Sequence, residues 1–258
     1  MDLTTETGLR ARREDSAPGT KRYAVKAVWR TLQGEGAWAG RAAVFVRLAG
    51  CNLWSGHDAD RERDAERSGA HCPRWCDTDF TKEGAAKLSA TALVDEVLAA
   101  ATNENPRTPI RFVVLTGGEP LLQADATLVR ALHGAGFEVA VETNGTLPLA
   151  RAFTDEDSGE FVPPDWVVCS PKLPEAALKL EWMDELKLVV PDYRPEDYAA
   201  FAARARPHAV GGRERRYLWL QPEDGPRRDD ATRLAVETAL ARPGWRVSVQ
   251  THKILGVD

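Results

Sequence analysis

No apolar run in this sequence approaches the length of a bilayer-spanning helix, which excludes a helical membrane anchor. No stripe of lysine or arginine stands out either. The 34 basic residues are outnumbered by 39 acidic ones, for a formal net charge of −5. Phosphate-binding surfaces leave a clustered basic footprint, so nucleic acid is not expected as a partner. The stretch MDLTTETGLRARREDSAPGTKR, residues 1–22, lacks the apolar segment of a secretory signal and reads as a flexible lead-in to a cytoplasmic protein. There are no long internal repeats. Cysteine is scarce, with only Cys51, Cys72, Cys76 and Cys169. An intracellular chain of 258 residues does not depend on disulfides, so three thiols within 26 residues point to metal binding or redox chemistry.

The composition that is present, 43% hydrophobic and 28% charged, suits a soluble α/β domain with a sizeable core. That domain is expected over 23–258, with a polar insertion at about 55–71. The runs AAVFVRL (42–48), RFVVL (111–115), EVAVE (138–142), WVVC (166–169), ELKLVV (185–190), YLWL (217–220) and WRVSV (245–249) are short, β-branched or aromatic, and predict strands. Helical spacing of Leu93, Val94, Val97 and Leu98 predicts a helix there, ADATLVRALHGAG predicts another ending at glycine, and two more are expected over 195–206 and 229–241. The acidic, proline-containing stretch 150–165 reads as a loop. Strands alternating with helices predict a parallel sheet.

Unusual residues follow the strands. Cys51 follows 42–48, Thr116 to Pro120 follow 111–115, Glu142 to Thr146 close the next, and Ser170 and Lys172 follow 166–169. Gln221 to Gly225 and Gln250 to Lys253 follow the last two. Ligands of parallel sheets sit at the carboxyl ends of strands. The stretch HCPRWCDTDF, 71–80, adds oxygen donors directly behind two thiols. Thiolates suit iron or zinc, whereas hydroxyls and carboxylates suit magnesium, so two metals with separate tasks are implied. On cysteines alone, a zinc site from Cys51, Cys72, Cys76 and His71 or His57 stays open.

GCNLW (50–54), the cysteine pair with an aromatic residue before its last cysteine, and TGGEP (116–120) resemble a radical S-adenosylmethionine enzyme. LQGEG (32–36), AVFVRLAGCNLWSG (43–56), CDTDF (76–80), VETNGT (141–146), SPK (170–172), LQP (220–222) and QTHK (250–253) resemble the 7-carboxy-7-deazaguanine synthases of that superfamily. The likeness runs from about Val28 to the C-terminus. It implies an incomplete parallel β/α barrel, a partial TIM-like barrel with a radical S-adenosylmethionine core. It also implies that Cys51, Cys72 and Cys76 hold three irons of a [4Fe-4S] cluster, whose fourth iron chelates S-adenosylmethionine. The spacing departs from the superfamily's C-x3-C-x2-C: here it is C-x20-C-x3-C. A longer loop costs little closure entropy, but Pro73 stiffens the shorter gap.

The resemblance also assigns contacts. It places Trp75 near the adenine, Gly117, Gly118 and Glu119 at the cofactor amino group, Ser170 and Lys172 at its ribose or carboxylate, and Gln221 at the adenosine. The implied substrate is 6-carboxy-5,6,7,8-tetrahydropterin. Arg47 would take its carboxylate in a two-point contact. Gln33 and Glu35 would read the pterin edge, Thr116 and Asn144 would add hydrogen bonds, and His252 and the terminal Asp258 would reach the ring. Thr78 would ligate Mg²⁺ bridging to the substrate carboxylate, with Asp77 and Asp79 as turn caps or rival ligands. Cys169 reads as a buried strand residue.

The implied reaction is ring contraction begun by a 5′-deoxyadenosyl radical, giving 7-carboxy-7-deazaguanine and ammonia for queuosine or other deazapurine pathways. A reductase such as flavodoxin and a homodimer belong to the same expectation. The alternatives are a radical activase acting on a partner protein and a non-enzymatic zinc-binding protein.

Overall fold

The structure, a computed structural model, describes residues 20–102 and 109–257. The expected lead-in at 1–22 falls mostly outside these residues, and Asp258 falls outside them altogether. Strand β1, Tyr23–Leu32, pairs antiparallel with β2, Ala42–Leu48, which sets Ala27 beside Arg47 and Trp29 beside Phe45. Helix α1, Arg61–Ser68, rises from the polar insertion. Edge strand β3, Ala86–Leu88, pairs antiparallel with β1. There follow α2 (Ala90–Thr102), β4 (Phe112–Gly117), α3 (Ala126–Gly134), β5 (Glu138–Thr143), α4 (Leu149–Phe153), β6 (Trp166–Cys169) and β7 (Glu185–Val190). The chain ends with α5 (Ala199–Ala202), the hairpin β8 (His208–Val210) and β9 (Arg213–Arg215), β10 (Tyr217–Pro222), α6 (Arg228–Ala241), β11 (Trp245–Val247) and α7 (Thr251–Leu255).

The main sheet runs β11-β10-β7-β6-β5-β4-β2-β1-β3. Every pairing from β2 to β11 is parallel. The two edges belong to β3 and β11, so the sheet does not close on itself, as the incomplete barrel requires. Parallel strands are covered on both faces and lose the usual polar-out alternation. In β7 all six residues are buried, its glutamate and lysine included.

Period-two alternation then sorts the side chains. One face of the sheet sends Val113, Leu115, Val139, Val141 and Val167 into the large core packed by α2 and α3. The other face gathers Ala43, Phe112, Val114, Ala140, Trp166 and Val168 into a smaller core. Two residues further along on that same parity stand Thr116, Glu142 and Ser170, and Arg47 stands four beyond Ala43. The inner face is therefore apolar at the amino end and polar at the carboxyl end.

Several elements differ from the sequence expectation. β1, β3 and the β8–β9 hairpin were not anticipated. The helix expected over 195–206 is a 3-10 turn, Pro195–Tyr198, and one short turn of α5, because Pro195 opens the segment and the chain turns off after Ala202. The expected loop at 150–165 contains most of α4 and a bridge between Thr154 and Phe161.

Candidate active site

The loop after β2 carries Cys51, and the chain returns after α1 to present Cys72 and Cys76. The extra residue between the latter two is absorbed by a 3-10 turn, Cys72–Arg74, with Cys76 N–H bonded to the Cys72 carbonyl at 2.8 Å. Pro73 lies in the first positions of that turn, where a missing N–H costs nothing. All three cysteines line one open cleft of about 240 Å³. Cys51 Sγ accepts from Leu53 N–H at 3.4 Å, and Thr78 donates to the Cys76 sulfur from both its N–H and its hydroxyl. Burial pushes all three thiols up, Cys72 to about 12. Protonated thiols of this kind become thiolates when a metal displaces the protons. Three sulfurs on the lining of one cleft, with donors from Leu53 and Thr78 to two of them, suit the ligands of a [4Fe-4S] cluster. Among the described residues, no three His, Cys, Asp or Glu side chains are gathered tightly enough to grip one ion. His71 is turned to Arg74 at 3.2 Å.

The same cleft is lined by Trp75, Gly117, Gly118, Asn144, Ser170, Lys172 and Gln221. Lys172 Nζ donates to the Ser170 hydroxyl at 2.6 Å and to its carbonyl at 3.0 Å, and burial lowers its pKa. Gly117 and Gly118 have a structural cause. A Cβ on Gly117 would stand 2.1 Å from the Leu48 carbonyl oxygen, and one on Gly118 would stand 2.3 Å from that of Gly50. The glycines let the β4 loop lie flat on the cysteine loop.

The expectation for Glu119 rests on the backbone carbonyls of TGGEP, and its side chain does something else. Its side chain is fully buried and lines no part of the cleft. It accepts from Thr143 Oγ1 and Asn144 N–H, both at 2.7 Å, and from Leu121 N–H at 3.0 Å. Burial pushes its carboxyl up to about 7 despite these donors. The carboxylate braces the β4 loop against the β5 loop. Asn144 is also committed, donating to Asn52 at 3.0 Å and accepting from the Thr146 hydroxyl at 2.6 Å. It lies on the cysteine cleft, not with the other expected substrate residues. Cys169 is fully buried, as expected.

A second cavity adjoins the first. Gln33, Glu35, Arg47, Thr78, Thr116, Glu142 and His252 line it, with Trp29 and Phe45 as its aromatic wall. Glu35, Thr78, Thr116, Gly117 and Glu142 border both spaces. The Arg47 guanidinium lies 4.8 Å from the Trp29 ring centre, and its Nε is buried without a hydrogen-bond partner. A buried donor left unpaired is costly unless something fills the site. His252 rests directly on Gly34, where any Cβ would collide with its ring. The cavity is closed on that side by α7, held through Thr251 N–H to the Gly34 carbonyl at 2.9 Å. Of the two acids flanking Thr78, Asp77 borders the cysteine cleft, whereas Asp79 is committed to Lys26 at 2.8 Å and to Thr81.

Two residues bordering these spaces were missed from the sequence: Glu142 on the shared wall and Lys187 on the cysteine cleft. Glu142 accepts from Gln33 Nε2 at 3.0 Å and from Thr116 Oγ1 at 3.4 Å. Lys187 is buried in an ion pair with Glu35, which also accepts from Gln221 at 3.0 Å and Gln250 at 2.8 Å. Burial opposes both charges. Lys187 nevertheless holds the Glu35 carboxyl below its usual range, and Glu35 with Glu142 raises Lys187. Position inside VETNGT marked Glu142, but nothing in ELKLVV marked Lys187.

An open parallel sheet whose carboxyl edge sets three cysteines against a glycine turn is the architecture of a radical S-adenosylmethionine enzyme. No protein-family profile matches the chain. It is 45% identical over 240 residues to a 7-carboxy-7-deazaguanine synthase of Bordetella pertussis, across 91% of this chain and 99% of that protein. It is 45% identical over 239 residues to one of Bradyrhizobium diazoefficiens, with the same coverage. The crystal structure of QueE from Escherichia coli matches with a TM-score of 0.58 and 28% identity, over 90% of this chain and 95% of that one. The chain belongs to the 7-carboxy-7-deazaguanine synthase family.

Proposed function

We propose that the protein catalyses the radical ring contraction of 6-carboxy-5,6,7,8-tetrahydropterin to 7-carboxy-7-deazaguanine with loss of ammonia, as a lyase of queuosine or related deazapurine biosynthesis. The observation that carries this reading is the pair of adjoining cavities, one edged by three cysteines and the other by an unpaired arginine. Cys51, Cys72 and Cys76 would hold a [4Fe-4S] cluster, and with S-adenosylmethionine bound that group supplies hydrogen-atom abstraction. The chain's own side chains do the positioning. Arg47 binds the substrate carboxylate, offering a buried Nε–H that has no partner within the protein. Gln33, Glu35, Thr116 and His252 present acceptors and donors to the pterin edge, and Lys187 keeps Glu35 ionised as an acceptor. Trp75, Ser170, Lys172 and Gln221 border the cofactor space, where Gln221 Oε1 is buried without a donor.

Thr78 sits on the shared wall, where its hydroxyl would be a ligand for Mg²⁺, which would steady the charge of the substrate carboxylate. Asp258, outside the described residues, follows α7, whose His252 already faces the cavity. Family membership supports a cytoplasmic setting, a reductase such as flavodoxin and a homodimer, with 23–258 as one domain. It does not favour a protein-activating radical enzyme or a zinc protein.

The test is anaerobic reconstitution with iron and sulfide, then assay with reductant, S-adenosylmethionine and the carboxypterin. Brown protein that forms 7-carboxy-7-deazaguanine and ammonia is expected, and Cys51→Ala, Cys72→Ala or Cys76→Ala should each lose the colour. Loaded protein that cleaves the cofactor but leaves the pterin untouched would refute the substrate assignment.

A further inference from the structure

We infer that Arg61 is a positioning residue that sets the Cys72–Cys76 turn against the Cys51 loop before any cluster is bound. The inference deepens the proposed function, because it rests on these cysteines being the cluster ligands. Twenty residues separate Cys51 from Cys72. A free loop of that length would let the two sides of the ligand set drift apart. The structure fills the gap with α1, an almost wholly polar helix tied down by Asp64. That carboxylate is fully buried, accepts from Ser55 N–H at 2.8 Å and pairs with Arg67 at 3.2 Å.

Arg61 occupies the first position of α1, where a cation opposes the helix dipole, so helix stability does not explain it. Its contacts do. One guanidinium nitrogen donates to the Pro73 carbonyl at 2.6 Å and another to the Cys76 carbonyl at 3.0 Å, while Nε donates to Asp58 at 2.9 Å. The guanidinium plane lies 4.3 Å from the ring centre of Trp54, three residues beyond Cys51. Trp54 in turn packs edge-on to Phe80 at 5.2 Å, just beyond the cysteine turn. One side chain thus touches both sides of the ligand set. Only arginine combines a planar fork for two carbonyls with a face for an indole; lysine offers a point charge. The lengthened spacing and the clamp are therefore one device, in which the inserted residues replace a short tether with a rigid strut.

The test uses the full chain and reads cluster-free protein first. In Arg61→Ala, the Cys76 amide, bonded to the Cys72 carbonyl, should exchange with deuterium at least about tenfold faster than in wild type, as expected for losing hydrogen bonds of a charged donor. Exchange across β4 to β7 should not change. After reconstitution, the variant should lose iron to a chelator faster than wild type. Arg61→Lys should behave like Arg61→Ala, and Arg233→Ala, an exposed arginine of α6, should behave like wild type. Wild-type exchange at Cys76 in Arg61→Ala would overturn the clamp, as would full recovery in Arg61→Lys. Acceleration spread equally over β4 to β7 would overturn it as well, since it would mark a general loss of stability. If wild-type protein takes up no iron, the functional reading falls, while the exchange in cluster-free protein still decides the clamp.

Discussion

Glu35 and Lys187 stand 152 positions apart in the chain, yet each is buried against the other at the cysteine cleft, and Glu35 also borders the second cavity. Two opposite charges in a poorly solvated wall hold one another ionised, and removal of either leaves the other stranded. Lys187→Met should therefore destabilise the protein by ~3–5 kcal/mol in denaturant unfolding. The sign with pH follows from the shifts. The Glu35 carboxyl is depressed in the folded state, so its contribution is complete above its ordinary pKa of about 4.5 and is lost as pH falls toward the depressed value. Lys187 is raised, so its contribution is complete at neutral pH and fades only in strong alkali. Wild type should show acid weakening from this pair, and Lys187→Met should show less of it. An equally steep acid slope in the variant would remove the pair from the account. Lys187 could not be read in advance, because an ELKLVV strand with one solvent-facing lysine looks the same as this fully buried one. Arg47 stood out in the sequence by its place beside the cysteine loop, and it lines the second cavity. Its Nε has no partner, so Arg47→Lys, which loses the two-point fork, should cost about 2–5 kcal/mol of carboxypterin affinity. Calorimetric titration of cofactor-loaded protein checks this, and unchanged affinity would exclude Arg47 from the carboxylate contact.

Helix α7 has only five residues, and it reaches the active site because Gly34 leaves a hollow for His252. A Cβ at Gly34 would fall 1.8 Å from His252 Nδ1. Either the imidazole swings away or the helix backs off, and in both cases His252 leaves the substrate cavity wall. Gly34→Ala should keep its iron and still cleave cofactor when reduced. Its kcat/KM for the carboxypterin should fall by roughly 10²-fold, the scale at which small misplacements act. Wild-type turnover would mean that His252 has no part in the site. The same scale explains what the sequence did and did not reveal. RFVVL, EVAVE, WVVC and YLWL stood out because strands buried on both faces read as unbroken apolar runs. YAVKAVWRTL did not, because Lys26 and Arg30 interrupt it, although it pairs along most of its length with β2. A helix was expected over 195–206, but only Ala199–Ala202 forms α-helix. TGGEP marks a turn without saying which way its acid points; three neighbouring donors draw the Glu119 side chain inward.

At the scale of the molecule, the parallel sheet brings six strand ends to one edge and packs two cavities there with a common wall. Glu35, Thr78, Thr116, Gly117 and Glu142 face both spaces, and Glu35 is tied to Lys187, Gln221 and Gln250 at once. A ligand in the cysteine cleft would remove water from that wall and fix its side chains. A pterin arriving afterwards would meet charges already desolvated and oriented, so it would lose less ordering entropy on binding. We therefore expect S-adenosylmethionine to tighten carboxypterin binding to the cluster-loaded, unreduced protein by a factor in the usual range of about 5–150. Linkage demands that the pterin tighten cofactor binding by the same factor, so calorimetry in both orders supplies an internal check. Glu35→Gln keeps the shape of the wall but removes its charge, and in that variant the factor should shrink toward one. Independent binding in wild type would mean that the shared wall is a partition rather than a coupling element. Coupling that survives Glu35→Gln unchanged would shift it to Thr116, Gly117 or Glu142.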